Sequence, residues 1–259
     1  MKFKIISSNI RFDAPEDGEH IWKNRKPILC KVINQYETDL LGTQEGRRPQ
    51  LVDLGSGLDN LDMVDSHRNW IKERMYPTIF VNPKTIEVLE SGDIWLSETP
   101  DVAGSSSFDS AFPRLYTWIK GKFKKNHQQF FYVNCHLDHV KAETRIGQIK
   151  VLIKEVQKAN FHHLPLILSG DFNEGPQEGV RCLLISECPN IYDPWNEIEQ
   201  ESHHKFKGHL PGALRIDWIL VDQLFKCENI ELDKYSESGI YPSDHFPLKA
   251  EFKMAPIRM

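Results

Sequence analysis

The run Leu166-Ile167-Leu168-Ser169-Gly170-Asp171-Phe172-Asn173 is apolar until it ends on a carboxylate and an amide two residues apart. Side chains alternate faces along a strand, so Asp171 and Asn173 are expected on one side, with Phe172 turned into packing. An acidic oxygen beside a neutral amide suits a hard divalent cation or a phosphate oxygen. Similar polar groups close other apolar runs. Asn9 follows Phe3-Lys4-Ile5-Ile6, Glu45 ends Leu40-Leu41-Gly42-Thr43-Gln44, and His136 with Asp138 ends Phe131-Tyr132-Val133-Asn134-Cys135. Asp244 and His245 precede the last apolar run, and Asp217 sits inside Arg215–Val221 with apolar neighbours on both faces. A carboxylate buried there needs a partner, a metal or a proton.

Each residue also has an ordinary explanation. Asn9 fits a turn, Glu45 the cap of a following helix, His136 a satisfied core histidine, and Asp244 an Asx turn beside Pro242. Asp217 could pair with Arg215, which strand alternation puts on the same face. Over the six polar clusters such explanations would be unrelated coincidences, whereas one oxygen-rich metal site accounts for all six. Carboxylates and amides suit Mg2+ or Mn2+ better than zinc, because the chain has no H-E-x-x-H motif and no cysteine pair. The pairs His162-His163 and His203-His204 read as solvated, or at most substrate-facing.

Strands are expected at 2–9, 39–45, 78–82, 86–91, 93–96, 115–123, 129–135, 164–170, 215–221 and 248–252. Helices are expected at 22–36, 47–54, 142–160 and 176–186. The helix at 142–160 is the clearest, with Ile146, Ile149, Leu152, Ile153 and Val156 on one face. Many strands broken by a few good helices, with no repeat or linker, favour a single α/β domain over residues 1–259.

The bulk composition is that of a soluble globule: 40% apolar and 27% charged over 259 residues. A net charge of −5 argues against a broad nucleic-acid surface, though a local metal can still serve a phosphate substrate. There is no signal-peptide h-region and no run of about 18 apolar residues, so no membrane insertion is expected. Five cysteines without a C-x-x-C pair read as reduced, mostly buried thiols in a cytoplasmic protein.

In order along the chain, Asn9, Gln44-Glu45, His136-Leu137-Asp138-His139, Gly170-Asp171-Phe172-Asn173, Arg215-Ile216-Asp217-Trp218 and Ser243-Asp244-His245-Phe246-Pro247 resemble the endonuclease/exonuclease/phosphatase superfamily. The resemblance covers essentially the whole chain. It implies the DNase I-like fold, an α/β four-layer sandwich of two packed mixed β-sheets flanked by helices, and a divalent-metal phosphoesterase. By position, Glu45 resembles the principal metal ligand, and Asn9 and Asp244 its neighbours at the metal. Asp171 resembles the residue that orients or deprotonates the attacking water. Asn173 and His136 resemble donors to the phosphate. His245 resembles a phosphate-contacting histidine held by a carboxylate at the position of Asp217. Around Trp22, Asp93-Ile94-Trp95 and Arg145 the chain is similar to a bacterial-type branch near the deadenylase, nocturnin and neutral sphingomyelinase relatives.

Further substrate contacts are expected from Arg145 and Arg114, from Asp138 in the His136–His139 motif, and from His204 and Phe206 on a variable loop, where Phe206 offers a ring to stack on. The expected activity is Mg2+- or Mn2+-dependent hydrolysis of a phosphodiester or phosphomonoester. The expected substrate is a phosphate ester, with a nucleotide or nucleic acid among the candidates. One alternative is a nuclease or deadenylase on RNA or DNA. Another is a non-catalytic binding module with this fold.

Overall fold

The structure, a computed structural model, describes residues 1–195 and 200–254. Among the described residues twelve strands occur in chain order: β1 (Lys2–Asn9), β2 (Leu40–Gly46), β3 (Asp62–Met63), β4 (Tyr76–Val81), β5 (Ile86–Trp95), β6 (Leu115–Phe123), β7 (Gln129–His136), β8 (Leu166–Asp171), β9 (Ile191–Tyr192), β10 (Asp217–Asp222), β11 (Phe225–Leu232) and β12 (Leu248–Met254). The α-helices are α1 (Trp22–Tyr36), α2 (Arg48–Gly55), α3 (Ala142–Ala159) and α4 (Gly179–Glu187). One six-stranded sheet has the order β11-β12-β1-β2-β4-β3, and the other β5-β6-β7-β8-β10-β9.

The apolar alternation of the strands builds four layers. Ile5, Leu40, Ile79, Tyr132, Ile167 and Ile219 meet between the sheets. Their chain neighbours Ile6, Leu41 and Phe80 turn outward to Leu29, Ile33, Leu51 and Leu54 of α1 and α2. Val133, Leu168 and Leu220 turn the opposite way, to Ile149, Leu152, Val156 and Leu184 of α3 and α4. Because both faces of the central strands are covered, these strands read as continuous apolar runs. The α/β four-layer sandwich expected from the sequence is the fold observed.

Topology decides where the polar strand ends go. The pairs β1–β2 and β7–β8 are parallel, so Asn9 and Glu45 emerge at one end of the first sheet, and His136 and Asp171 at one end of the second. β10 runs antiparallel to β8 with Asp217 opposite Asp171. β12 runs antiparallel to β1 with Leu248 opposite Ser7, which places Asp244-His245 just beyond that same end.

Two buried polar links hold the sheets face to face. Asn134 of β7 donates to the Thr43 and Thr78 carbonyls at 2.9 and 3.1 Å and accepts from Gln44 at 2.7 Å. Gly42 allows this approach, since a Cβ there would overlap the Tyr132 hydroxyl. Arg68 grips Asp93 of β5 with two hydrogen bonds, at 2.6 and 2.8 Å, and also donates to Thr78 of β4 and Thr117 of β6.

The expected elements are present, with differences at some boundaries. The two strands expected at 86–91 and 93–96 are one continuous β5 with a register shift between Val88 and Glu90. The strand β11 was not expected, because a bulge between Cys227 and Asn229 breaks its two-residue alternation. The short β3 and β9 carry too few residues to show a period. Helix α4 begins at Gly179, three residues later than expected. The thiols are all free, but only Cys30 and Cys135 are buried, and Cys182 is exposed.

Burial pushes the Asp93 carboxyl up, but hydrogen bonds from His67 and Arg68 outweigh it and bring its pKa down to about 2. The folded value lies below the ordinary 3.8, so this carboxylate adds stability that is complete above about pH 4 and is lost as pH falls toward 2. Asp93→Asn should therefore cost about 3 kcal/mol at neutral pH, by leaving Arg68 buried without its partner. It should also flatten the acid limb of stability between about pH 4 and pH 2. Urea denaturation of both proteins across that range measures both effects, and equal acid limbs would contradict the assignment.

Candidate active site

The expected residues meet around one atom, Oδ2 of Asp171. Asn9 donates to it from Nδ2 at 2.9 Å, and the Nε2 atoms of His136 and His245 lie at 3.4 and 4.0 Å. Asp171 is buried, 1% exposed, at the last position of β8. The preceding Gly170 has φ +149°, and a Cβ there would overlap the Cys135 carbonyl, so only glycine brings β8 this close to β7.

Glu45 reaches the cluster through a backbone irregularity. It has φ +67° at a register shift between Thr43 and Gly46, a costly conformation for a non-glycine residue. The distortion turns its carboxylate toward Asn9, whose Nδ2 donates to Oε1 at 3.1 Å, while the Phe12 N–H donates to Oε2 at 3.2 Å. Asn9 thus bridges Glu45 and Asp171 through its amide nitrogen, and its oxygen accepts the Arg11 N–H at 3.0 Å. That orientation differs from the expected ligand role for Asn9, which needs the oxygen turned to the metal.

Asn173 does not share a strand face with Asp171. It lies beyond β8 with φ +52°; its own N–H donates to Asp171 Oδ1 at 2.9 Å, and its Nδ2 donates to the Leu137 carbonyl at 3.1 Å. Phe172 turns into packing as expected, stacked on Trp218 with ring centres 4.3 Å apart.

Asp217 is not paired with Arg215, whose guanidinium donates to Asp193 at 2.8 Å. Instead Asp217 Oδ2 faces His245 Nδ1 at 2.8 Å and accepts the Ser202 hydroxyl at 2.6 Å. Burial works against a charged imidazole, but Asp217, followed by Asp171 and Asp244, overcomes it and raises the His245 pKa to about 10. His245 is therefore an imidazolium at neutral pH, with Nδ1–H given to Asp217 and Nε2–H directed toward Asp171. Burial and then the negative charge of Asp217 push the Asp171 carboxyl up.

His136 is held in the opposite state. Burial, then the charges of Arg114 and His245, drive its pKa well below the ordinary value, so the ring is neutral. Arg114 Nη1 lies 3.0 Å from His136 Nδ1. A guanidinium only donates, so Nδ1 must accept, and the proton sits on Nε2, facing the cluster. Arg114 is thus in the site and sets the tautomer of His136.

Three expected substrate contacts have structural partners instead. Arg145 forms a buried ion pair with Glu174 at 2.7 Å. Asp138 accepts the backbone N–H groups of Val140 and Lys141, which order the turn into α3, and that of Ala111 in the loop before β6. His204 is buried between Phe246 and Tyr241, with ring centres at 3.9 and 4.7 Å. Phe206 is half-buried, and one of its faces is covered by His20, 4.4 Å away and nearly parallel.

Two members of the cluster were not foreseen. His203 was read as solvated or at most substrate-facing, yet its ring lies 4.6 Å from that of His245, with Nε2 3.8 Å from Asp244 Oδ2. Ser202 steadies Asp217 and accepts the Ile216 and Asp217 N–H groups. Its sequence signal is a lone serine, which is indistinguishable from any loop serine.

Among the described residues, two sets of three side chains have ligand atoms within 4.8 Å of one another: His203 with Asp244 and His245, and Asp171 with Asp217 and His245. Asp217 Oδ1 is buried without a hydrogen-bond partner. Glu45, Asp171, Asp217 and Asp244 put four carboxylates at this end, with no thiolate among them. This excess of hard oxygen donors fits Mg2+ or Mn2+. Ser202→Ala should cost about 1–3 kcal/mol, because Asp217 loses a buried donor. Chemical denaturation measures this, and unchanged stability would remove Ser202 from the support of Asp217.

No protein-family model matches the chain, and no curated protein does. Solved structures do match. An endonuclease/exonuclease/phosphatase family protein from Bacteroides thetaiotaomicron superposes with a TM-score of 0.90 at 25% identity, covering 99% of each chain. A mannosyl-6-phosphatase from Bacteroides thetaiotaomicron VPI-5482 superposes with a TM-score of 0.86 at 25% identity, over 97% of this chain and 100% of that one. The human nocturnin catalytic domain, at 20% identity over 98% and 94% of the two chains, shares the fold with a TM-score of 0.74. With two mixed sheets packed face to face and the ordered polar motifs at one end of both, the chain belongs to the endonuclease/exonuclease/phosphatase superfamily, with the DNase I-like fold.

Proposed function

We propose that the chain is a single-domain, divalent-metal-dependent phosphoesterase that hydrolyses a compact phosphodiester or phosphomonoester by in-line attack of water. The observation that carries this reading is the convergence of Asn9, His136 and His245 on Asp171, with Glu45 joined through Asn9. A Mg2+ or Mn2+ held by Glu45 and Asp244, with Asn9 alongside, supplies charge neutralisation at the phosphate and at the leaving oxygen.

The protein groups divide the remaining work. Asp171 takes a proton from the attacking water as its oxygen bonds to phosphorus. The ester P–O bond breaks, and the leaving oxygen keeps the electron pair and is protonated from solvent. The imidazolium of His245, held by Asp217, donates from Nε2 to a phosphate oxygen. Neutral His136 donates from Nε2, its tautomer set by Arg114, and Asn173 donates from its amide. Such pre-aimed donors act where charge builds up in the transition state.

A small substrate is favoured over a polymer. The chain carries −5 net charge, whereas a surface that tracks a nucleic-acid backbone is usually basic. The neighbour at 25% identity named a mannosyl-6-phosphatase supports the same choice. A nuclease or deadenylase reading draws on the nocturnin neighbour, whose likeness extends to the fold alone. Five free thiols suit a reducing compartment, so we assign the protein to the cytoplasm. Among the described residues, no helix is long and apolar enough to cross a membrane.

The wild-type protein with Mg2+ or Mn2+ should hydrolyse bis(p-nitrophenyl) phosphate or p-nitrophenyl phosphate, and EDTA should abolish turnover until metal is restored. Glu45→Ala and His245→Ala should each lower kcat by about a hundredfold or more. A folded wild type that turns over no member of a phosphate-ester panel with either metal would favour a non-catalytic binding module.

A further inference from the structure

A cavity of about 590 Å³ opens between the start of α2 and the 70–74 loop, lined by Arg47, Arg48, Trp70, Lys72 and Arg74. Its charges are only partly compensated. Of the three carboxylates in its wall, Asp53 is bound to Lys26, Glu73 lies 3.7 Å from Arg47, and Asp13 accepts the Trp22 N–H, against four cations. Among the described residues, no carboxylate pairs with Arg48, Lys72 or Arg74. Arg47 also has a buried Nε without a hydrogen-bond partner. Three cations without an ion-pair partner thus gather round one cavity, Arg48 and Lys72 exposed to solvent and Arg74 half-buried. Trp70 adds an aromatic surface, braced edge-on by Tyr76 at 4.8 Å, and the Arg48 guanidinium lies 5.8 Å from its ring centre.

The cavity shares a wall with the proposed catalytic centre. Arg47 and Arg48 follow Glu45 by two and three residues, a reach of at most about 7–11 Å. On the other side, Gln50 lines the cavity while accepting the Asp13 N–H and donating to the Arg11 carbonyl. Between those two residues, Phe12 gives its N–H to Glu45, and its ring lies 4.9 Å from the Arg47 guanidinium. A substrate with its reacting phosphate beside Glu45 therefore meets the cationic wall within one sugar or nucleoside unit.

We propose that this cavity is a second anion pocket, in which Arg48, Arg74 and Lys72 hold a phosphate on the non-reacting part of the substrate and Trp70 covers the ring that joins the two phosphates. The substrate class is then a phosphate ester that carries a second phosphate. Guanidinium groups suit this task because they bind phosphate oxygens in pairs. This inference rests on the phosphoesterase reading for its kinetic consequence and on the cavity alone for its binding consequence.

The test compares the full-length wild type with Arg48→Ala/Arg74→Ala on three probes: adenosine 3′,5′-bisphosphate, glucose 1,6-bisphosphate and p-nitrophenyl phosphate. At least one bisphosphate should show a KM for the double variant that is about tenfold or more above wild type, with kcat little changed. The KM for p-nitrophenyl phosphate, which lacks the second anion, should move less than twofold. Which bisphosphate responds identifies the ring. Equal KM shifts on all three probes, or none on either bisphosphate, would overturn the pocket. If the wild type hydrolyses nothing, the phosphoesterase reading fails, and calorimetric titration of each bisphosphate in EDTA decides the pocket by itself. Binding kept in His245→Ala and lost in the arginine double variant supports the pocket. Absence of binding, or equal binding by both variants, contradicts it.

Discussion

Two buried carboxylates, Asp171 and Asp217, face each other across the β8–β10 pairing with a single imidazolium to share. Such an arrangement is unfavourable unless donors and positive charge are supplied. Much of the surrounding detail supplies them. Asn9 and the Asn173 N–H donate to Asp171, and Ser202 and His245 serve Asp217. Arg114 fixes a neutral His136 beside them. The same excess of acid makes this end of the molecule fit for a divalent cation, and it is that cation, with the His245 imidazolium, that would draw in a phosphate.

The fold makes this crowding possible. Each sheet has one parallel pair near its centre, and the two pairs direct their C-terminal ends the same way. Antiparallel β10 and β12 then add residues from their beginnings. Polar links through Asn134 and Arg68 hold the sheets in that relation, so Asn9 and Asp171, 162 residues apart, meet at hydrogen-bond distance. Backbone strain contributes at the site: Glu45 and Asn173, among the residues with left-handed backbone, lie at the strand ends beside Asp171.

Sequence reasoning went furthest where local chemistry and strand boundaries coincide. Asp171, His136 and Glu45 each end an apolar run, so their position and their type carry the same message. It failed where a residue's role depends on a distant partner. Arg145, Asp138 and His204 have the types of substrate contacts, but Glu174, three backbone N–H groups and Phe246 claim them. Ser202 and His203 gave no signal, because their place is set by the 202–203 segment folding onto Asp217 and His245. The strand β11 escaped because one bulge shifts its alternation.

The most direct measurement is a crystal structure of the protein soaked with Mn2+ and inorganic phosphate, with the metal located by its anomalous signal. A manganese peak bonded to Glu45, and a phosphate within hydrogen-bond reach of His245 and Asn173, is the predicted result. Manganese bound away from Glu45, with phosphate touching neither side chain, would contradict the account.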